Sequence, residues 1–281
     1  LSMTASRHPT AVIEDGASIP DSASIGPHAV IGPHVTLGEG VMVGAGVVIT
    51  GHTTIGAGSK IYSGAVLGGP PQDFGYKDEP TLLDIGENCT VREHVTMHAG
   101  TAKGRGRTVV GRDGYFMVGC HVAHDCILGD GVTLSNNVLL AGHVQLGDYV
   151  LIGGGTAVLQ RARIGSYTFV SGMSGIMRDC VPYAFSTGRV AWVESVNRVG
   201  LRRRGFDRDA IRTVTTAYDV LFHTPGMVFA ERKEKLRAEM GGDPVVDPIL
   251  AFIDAAPQRP YMQSRQESRE DVAAEFLDNR R

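Results

Sequence analysis

Apolar residues return every six positions through most of this chain, at Ile13, Ile19, Ile25, Ile31, Leu37, Val43, Ile49, Ile55, Ile61 and Leu67. The beat resumes at Ile85, Val91 and Met97, and again from Val110 through Phe116, Val122, Leu128, Leu134, Leu140, Leu146, Ile152, Val158 and Ile164 to Val170 and Ile176. Helices bring side chains back to one face about every 3.6 residues and strands every second residue, so neither keeps this period. Self-similarity at a fixed spacing belongs to a solenoid, whose repeats bury their apolar sides only against their neighbours. The pattern predicts a mainly β chain, a parallel β-helix with three flat faces and three hexads to the coil. The repeat apolar fills the interior and the fifth residue of each hexad packs beside it. The residue after the apolar is often glycine, as at Gly26, Gly32, Gly38, Gly44, Gly56, Gly111, Gly129, Gly147, Gly153 and Gly165. It is expected to form the tight corner, where a side chain at positive φ would be strained.

Every cysteine, Cys89, Cys120, Cys126 and Cys180, falls at the fifth position of a hexad, so each thiol should point into the coil. Inward packing of a small thiol is preferred to a disulfide or a zinc site, because no CxxC pair is present. No apolar run approaches the roughly 18 residues that would span a bilayer, which speaks against an integral membrane protein. With no signal peptide in view and a net charge of −3, a cytoplasmic protein is expected and nucleic acid is not. Leu1 and Ser2 ahead of Met3 read as an expression remnant.

The chain divides near residue 200, into a β-helix domain over 1–200 and a C-terminal α-helical domain over 201–281. Beyond Ile176 the hexads stop, and Val181, Pro182 and Gly188 mark an irregular connector. From Gly205 the period becomes helical, with Asp207 as N-cap and Ile211, Val214, Tyr218, Leu221 and Phe222 on one face until Pro225 and Gly226. Further helices are expected over 227–240 and 247–255, and Ser268 with Asp271 resembles a capping box for a last one over 269–279.

Two loop insertions, over 68–84 and 99–108, interrupt the repeats. The first, GGPPQDFGYKDEPTLLD, reads as the replacement of one whole coil, because Leu67 and Ile85 are 18 residues apart. The second, AGTAKGRGRT, shifts the phase between Met97 and Phe116 by one residue. Loops that leave a solenoid's faces commonly carry binding, and the histidines fall beside the second. His124, Gly142 and Gln160 are each the third residue of a hexad, spaced by 18 and 18. They therefore stack on successive coils, about 4.7 to 4.9 Å apart, with His143 next to Gly142. His121 ends the hexad before Val122, and His98 belongs one coil below it.

Such a group could bind zinc, as three histidines do between subunits of hexapeptide carbonic anhydrases. Their within-chain pair is more widely spaced than His121 and His124, and the ligand pattern matches no strong zinc spacing. The other reading is acyl transfer, in which one neutral histidine is general base to a hydroxyl and Asp125 orients its ring. No serine or cysteine stands ready as a nucleophile, so direct transfer is favoured.

Six segments carry a family resemblance: HPTAVIEDGASI from His8, PQD from Pro71, HVAHDC from His121, NNVLLAGHV from Asn136, IGGGTAV from Ile152 and LRRRGF from Leu201. Together they resemble the UDP-N-acetylglucosamine acyltransferase family that opens lipid A synthesis in Gram-negative bacteria, and the resemblance covers essentially the whole chain. It implies a left-handed β-helix, a homotrimer with active sites in the clefts between subunits, and no cofactor beyond the phosphopantetheine arm of acyl carrier protein, which brings an (R)-3-hydroxyacyl chain. Carried over by position, His124 is the base that takes the proton of the glucosamine 3-hydroxyl, Asp125 supports it, and the Gly142 N–H stabilises the oxyanion. Asp73, His98, His121, His143 and Gln160 match positions that hold the sugar nucleotide, and Asn197, Arg203 and Arg204 the nucleotide and carrier side. Gly172, with Met173 beside it, matches the position that closes the acyl groove, and an open glycine implies a longer chain.

Arg198, Arg202, Arg203, Arg204, Arg208 and Arg212 could also steer an acidic carrier protein or grip the diphosphate of UDP. The chain departs from the family pattern in places. Gly75 stands in the usual place of a lysine, which only Lys77 could replace, Leu159 stands for a histidine and Val199 for a glutamate. The alternatives are an N-acyltransferase acting on a 3-amino sugar nucleotide, a metal site like that of the γ-carbonic anhydrases, and a non-catalytic scaffold that binds sugar nucleotide.

Overall fold

A computed structural model describes residues 6–255 and 257–265. The hexads wind into a left-handed parallel β-helix of triangular section. One face holds nine strands, from Val12–Ile13 up to Gly175–Ile176. A second holds seven, from Thr36–Leu37 to Arg163–Ile164, and a third begins at Ser24–Ile25 and passes Phe169–Val170. Val12 pairs with Val30, Val30 with Val48 and Val48 with Val66, so the regular coil is 18 residues. Away from the two loops most strands are only two residues long, because only the repeat apolar and the residue before it lie flat on a face. The apolar points in and its predecessor points out.

The interior is a stack of these apolars, with Ile31, Ile49, Leu67, Met97, Val122 and Leu140 each at 0 % exposure. Each such side chain contributes roughly 1.5–3 kcal/mol on burial. The fifth position packs beside it, and all four cysteines lie there, buried and unpaired. Burial raises their thiols, to about 11 at Cys89 and Cys120. Phe116 is the largest fully buried side chain. Its ring fits because Gly114 is bare: a Cβ there would sit 2.7 Å from Phe116 Cε2.

The corner glycines work differently from the sequence expectation. The glycines named above that follow a repeat apolar do not adopt positive φ, although Gly68, at the start of the first loop, does. They are needed because coils approach closely there, as a Cβ on Gly56 would lie 2.5 Å from the Gly86 carbonyl carbon. Positive φ occurs two residues further on, at Gly40 and Gly131 but equally at Asn88, Asp125 and His143.

Both loops leave the corner between the first and second faces. Ile85 pairs with Ile55 across the coils, on the second face. The segment from Leu67 to Ile85 is therefore one corner lengthened by twelve residues, and no coil is replaced. The strands flanking it are Val66–Gly69 and Leu82–Ile85, which narrows the loop to 70–81. The second loop spans 99–106, between Thr96–His98 and Arg107–Val110. Met97 pairs with Val122, so that coil carries seven extra residues.

Above Ile176 the chain is more ordered than a connector. Ala184–Thr187 joins the third face in parallel, and Trp192–Val196 pairs antiparallel with it. Helix α1 (Arg198–Arg203) follows, with Leu201 buried. Helix α2 (Arg208–His223) starts at Asp207, whose side chain accepts from the Ala210 N–H at 2.8 Å, and buries Val214, Tyr218, Leu221 and Phe222. Helices α3 (Phe229–Met240) and α4 (Asp247–Asp254) follow among the described residues. The chain then returns to the prism, where Tyr261 bridges Asp179 and Ser264 bridges Val193. The helix expected over 269–279 lies outside the described residues.

Candidate active site

The corner that emits both loops also carries the histidine column. His124 and Asp125 turn it in one coil and Gly142 and His143 in the next, the His143 N–H bonding the His124 carbonyl at 2.9 Å. Gly142 is bare for a reason: a Cβ would sit 2.5 Å from His124 Cε1 and 2.6 Å from Nε2. The imidazole therefore lies over the Gly142 backbone. No hydrogen bond engages the Gly142 N–H among the described residues.

Asp125 is fully buried and saturated. Oδ1 accepts from the Arg105 N–H at 2.7 Å and the Thr101 N–H at 3.1 Å. Oδ2 accepts from the Thr101 hydroxyl at 2.6 Å and from His124 Nδ1 at 2.9 Å. Burial alone would raise this carboxyl, but the bonds from His124, Thr101 and Arg105 outweigh it and hold it far below the usual carboxylate range. An ionised Asp125 can only accept, so His124 Nδ1 carries a hydrogen, and in the neutral ring Nε2 presents the lone pair.

Around this dyad the other rings are kept neutral. His98 packs edge-on to His121 with centroids 4.8 Å apart, and His124 to His143 at 5.1 Å. Burial, then the nearby His121 and His124, lowers His98 to about 4. Burial likewise lowers His121 and His143. His121 Nδ1 meets the Thr96 hydroxyl at 2.7 Å, whereas His98 Nδ1 is buried with no partner among the described residues.

Outside the corner a groove of about 800 Å³ runs up the first face, lined by Gln72, His121, His124, Gly142, Gln160 and the apolar Leu139, Ala157 and Leu159. Asp73 stands beside Gln72 in the first loop, its Oδ1 accepting from the Gly75 N–H at 2.5 Å. A single chain does not bring every candidate here. Asn197, Arg203 and Arg204 line a separate cavity of about 670 Å³ on the third face, among Tyr149, Tyr167 and Phe169. Asn197 there caps α1, accepting from the Gly200 N–H at 3.0 Å and donating to the Tyr167 carbonyl at 2.8 Å. Arg204 lies 4.2 Å over the Tyr149 ring. Gly172 and the exposed Met173 turn the corner between the third and first faces, across the first face from His124.

Three participants went unnoticed in the sequence. Thr101 holds Asp125 and Tyr149 supports Arg204, but neither carries a motif. Near Gly75 the ammonium of Lys103 lies 3.4 Å from where a Cβ would be, a cation of the second loop that the sequence did not point to. The donor atoms of His124, Asp125 and His143 lie within 4.8 Å of one another, close enough for a metal, yet both carboxylate oxygens are already engaged.

Comparison with known proteins gives a consistent picture. The family profile described as "Udp N-acetylglucosamine O-acyltransferase; Domain 2" matches residues 179–262, and the bacterial transferase hexapeptide profile matches 34–69. The chain is 44 % identical over 256 residues to the acyl-[acyl-carrier-protein]--UDP-N-acetylglucosamine O-acyltransferase of Sinorhizobium fredii, covering 91 % of this chain and 94 % of that one. Against the protein of the same name from Caulobacter vibrioides it is 45 % identical over 255 residues, covering 91 % and 97 %. The crystal structure of UDP-N-acetylglucosamine O-acyltransferase from Moraxella catarrhalis superposes with a TM-score of 0.88 at 35 % identity, covering 92 % of this chain and 99 % of that one.

Proposed function

The chain belongs to the UDP-N-acetylglucosamine O-acyltransferase family, and from that premise we propose that it moves an (R)-3-hydroxyacyl chain from acyl carrier protein to the 3-hydroxyl of UDP-N-acetylglucosamine, the first step of lipid A synthesis. The observation that carries the reading is His124: Nδ1 is tied to an ionised Asp125, and Nε2 lies beside a groove and a Gly142 N–H that has no partner among the described residues. The sugar hydroxyl gives its proton to Nε2 as its oxygen attacks the thioester carbonyl. The oxyanion accepts from the Gly142 N–H, a donor of a kind worth about 3–4 kcal/mol. The C–S bond then breaks, and the imidazolium returns the proton to the leaving thiolate of the phosphopantetheine arm. Neutral His98, His121 and His143, with Asp73 and Gln160, hold the sugar nucleotide. The orphaned His98 Nδ1 supports this, since a buried polar atom without a partner is costly until a ligand meets it.

Asn197, Arg203 and Arg204 serve the nucleotide or the carrier protein. They occupy a different face from His124, so adjacent copies in a homotrimer would complete each site. Gly172 and Met173 limit the acyl chain. A cytoplasmic reaction fits these proposed substrates, and among the described residues no helix is long and apolar enough to cross a membrane.

The test is transfer from a panel of (R)-3-hydroxyacyl carrier proteins, with wild type beside His124→Ala. Removing a general base should cut kcat by about 10²–10⁴, with the oligomer intact. A variant as active as wild type refutes the base. Wild type inert with every donor, but active on a 3-amino sugar nucleotide, turns the reading towards an amide product. Activity lost to a chelator and restored by zinc would favour the metal alternative.

A further inference from the structure

We propose that Thr101 is a positioning residue that decides which histidine Asp125 serves. The inference rests on the acyl-transfer reading of His124. The second loop spends its extra length at this carboxylate: the Thr101 and Arg105 N–H groups take Oδ1, and the Thr101 hydroxyl takes Oδ2. Gly104 lets the loop close, because a Cβ there would come within 2.5 Å of the Asp125 carboxylate. From below, the Thr108 hydroxyl accepts the Asp125 N–H at 2.8 Å. Backbone and carboxylate are thus held separately, by two threonines of one corner.

The hydroxyl matters because Oδ2 has two suitors. His124 Nδ1 is at 2.9 Å and His143 Nε2 at 3.8 Å. A small rotation of the carboxylate would give the closer bond to His143 and release His124 Nδ1. His124 could then put its hydrogen on Nε2, a tautomer that cannot accept the substrate proton. The Thr101 O–H, at 2.6 Å, fixes the carboxylate plane against that rotation. A β-branched side chain suits the task, since few χ1 rotamers are open to it.

Thr101→Val keeps the shape and removes the O–H, while Thr101→Ser keeps the O–H. Thr101→Val should lower kcat about ten- to a hundredfold, the scale of losing a hydrogen bond to a charged group. KM for UDP-N-acetylglucosamine should stay within about twofold, and Thr101→Ser should recover most of the rate. Nitrogen NMR of the His124 ring reads the tautomer without turnover: hydrogen on Nδ1 in wild type and Thr101→Ser, a mixture in Thr101→Val. Wild-type turnover and an unchanged His124 tautomer in Thr101→Val would overturn the proposal. So would a loss that tracks the unfolding midpoint and is not rescued by serine. If His124→Ala proves active, the base assignment fails on its own, while the NMR arm still decides whether Thr101 sets the ring.

Discussion

Two corners of one prism put the same backbone to opposite uses. Between the second and third faces, each polar side chain closes a bond to the coil below: Asp130 accepts the Arg112 N–H at 3.0 Å, Asp148 the Asp130 N–H at 2.8 Å, and Ser166 the Asp148 N–H at 3.0 Å. Between the first and second faces the equivalent positions are His124, Gly142 and Gln160. A glycine there has nothing to accept with, and the N–H groups of the column are left for something else. The closed corner spends these polar atoms on coil-to-coil bonds, and the open one leaves the N–H groups of His124, Gly142 and Gln160 without a partner among the described residues.

Closing the open corner is the harshest way to break this contrast. Gly142→Ala sets a methyl against the His124 ring, 2.5 Å from Cε1, and can be relieved only by turning the ring away. We expect kcat to fall by about 10²–10³, the cost of a misplaced base and oxyanion donor, with the circular dichroism unchanged. Full activity in this variant would mean the ring and the Gly142 N–H do not act together.

Acid sharpens the contrast at intermediate scale. Burial first, then neighbouring rings, keeps His98 neutral down to about 4 against an ordinary 6.5, and His121 and His143 shift the same way. The unfolded chain takes up protons that the folded chain refuses. Stability present above pH 6.5 is therefore lost as pH falls towards about 4. His98→Phe should flatten this part of the curve in thermal melts. An equally steep curve in the variant would locate the acid sensitivity elsewhere. Asp125 acts lower, below its unfolded value of 3.8, because its folded value is depressed.

The gentlest test lies at the closed corner. Asp148→Ala removes one acceptor at an exposed turn and should cost about 1 kcal/mol of stability, with turnover unchanged. A large loss of activity would show that the two corners are coupled through the core.

The sequence made the coils legible because one apolar in six leaves little freedom in phase. The column of His124, Gly142 and Gln160 was readable for the same reason: from Val110 to Ile176 nothing interrupts the count. The first loop was misjudged by arithmetic, since twelve extra residues and a replaced coil of 18 both preserve a period of six. Only the pairing of Ile85 with Ile55 separates them. Thr101 was invisible because a loop has no period, and its partner is 24 residues away. The hairpin and α1 beyond Ile176 were passed over because Pro182 and Gly188 read as breakers, although here Pro182 also offers its carbonyl to the Tyr218 hydroxyl.

All three faces join coil to coil by main-chain bonds that run lengthwise, such as Val30 N–H to Val47 carbonyl at 2.9 Å. Under tension between its ends, the prism should therefore peel turn by turn, with no single breaking point. A regular turn would release about 60 Å of contour and the turn holding the first loop about 100 Å, at about 3.4 Å per residue. A force trace would then carry one long step and one of intermediate length among equal ones, a bar code of where the active corner sits.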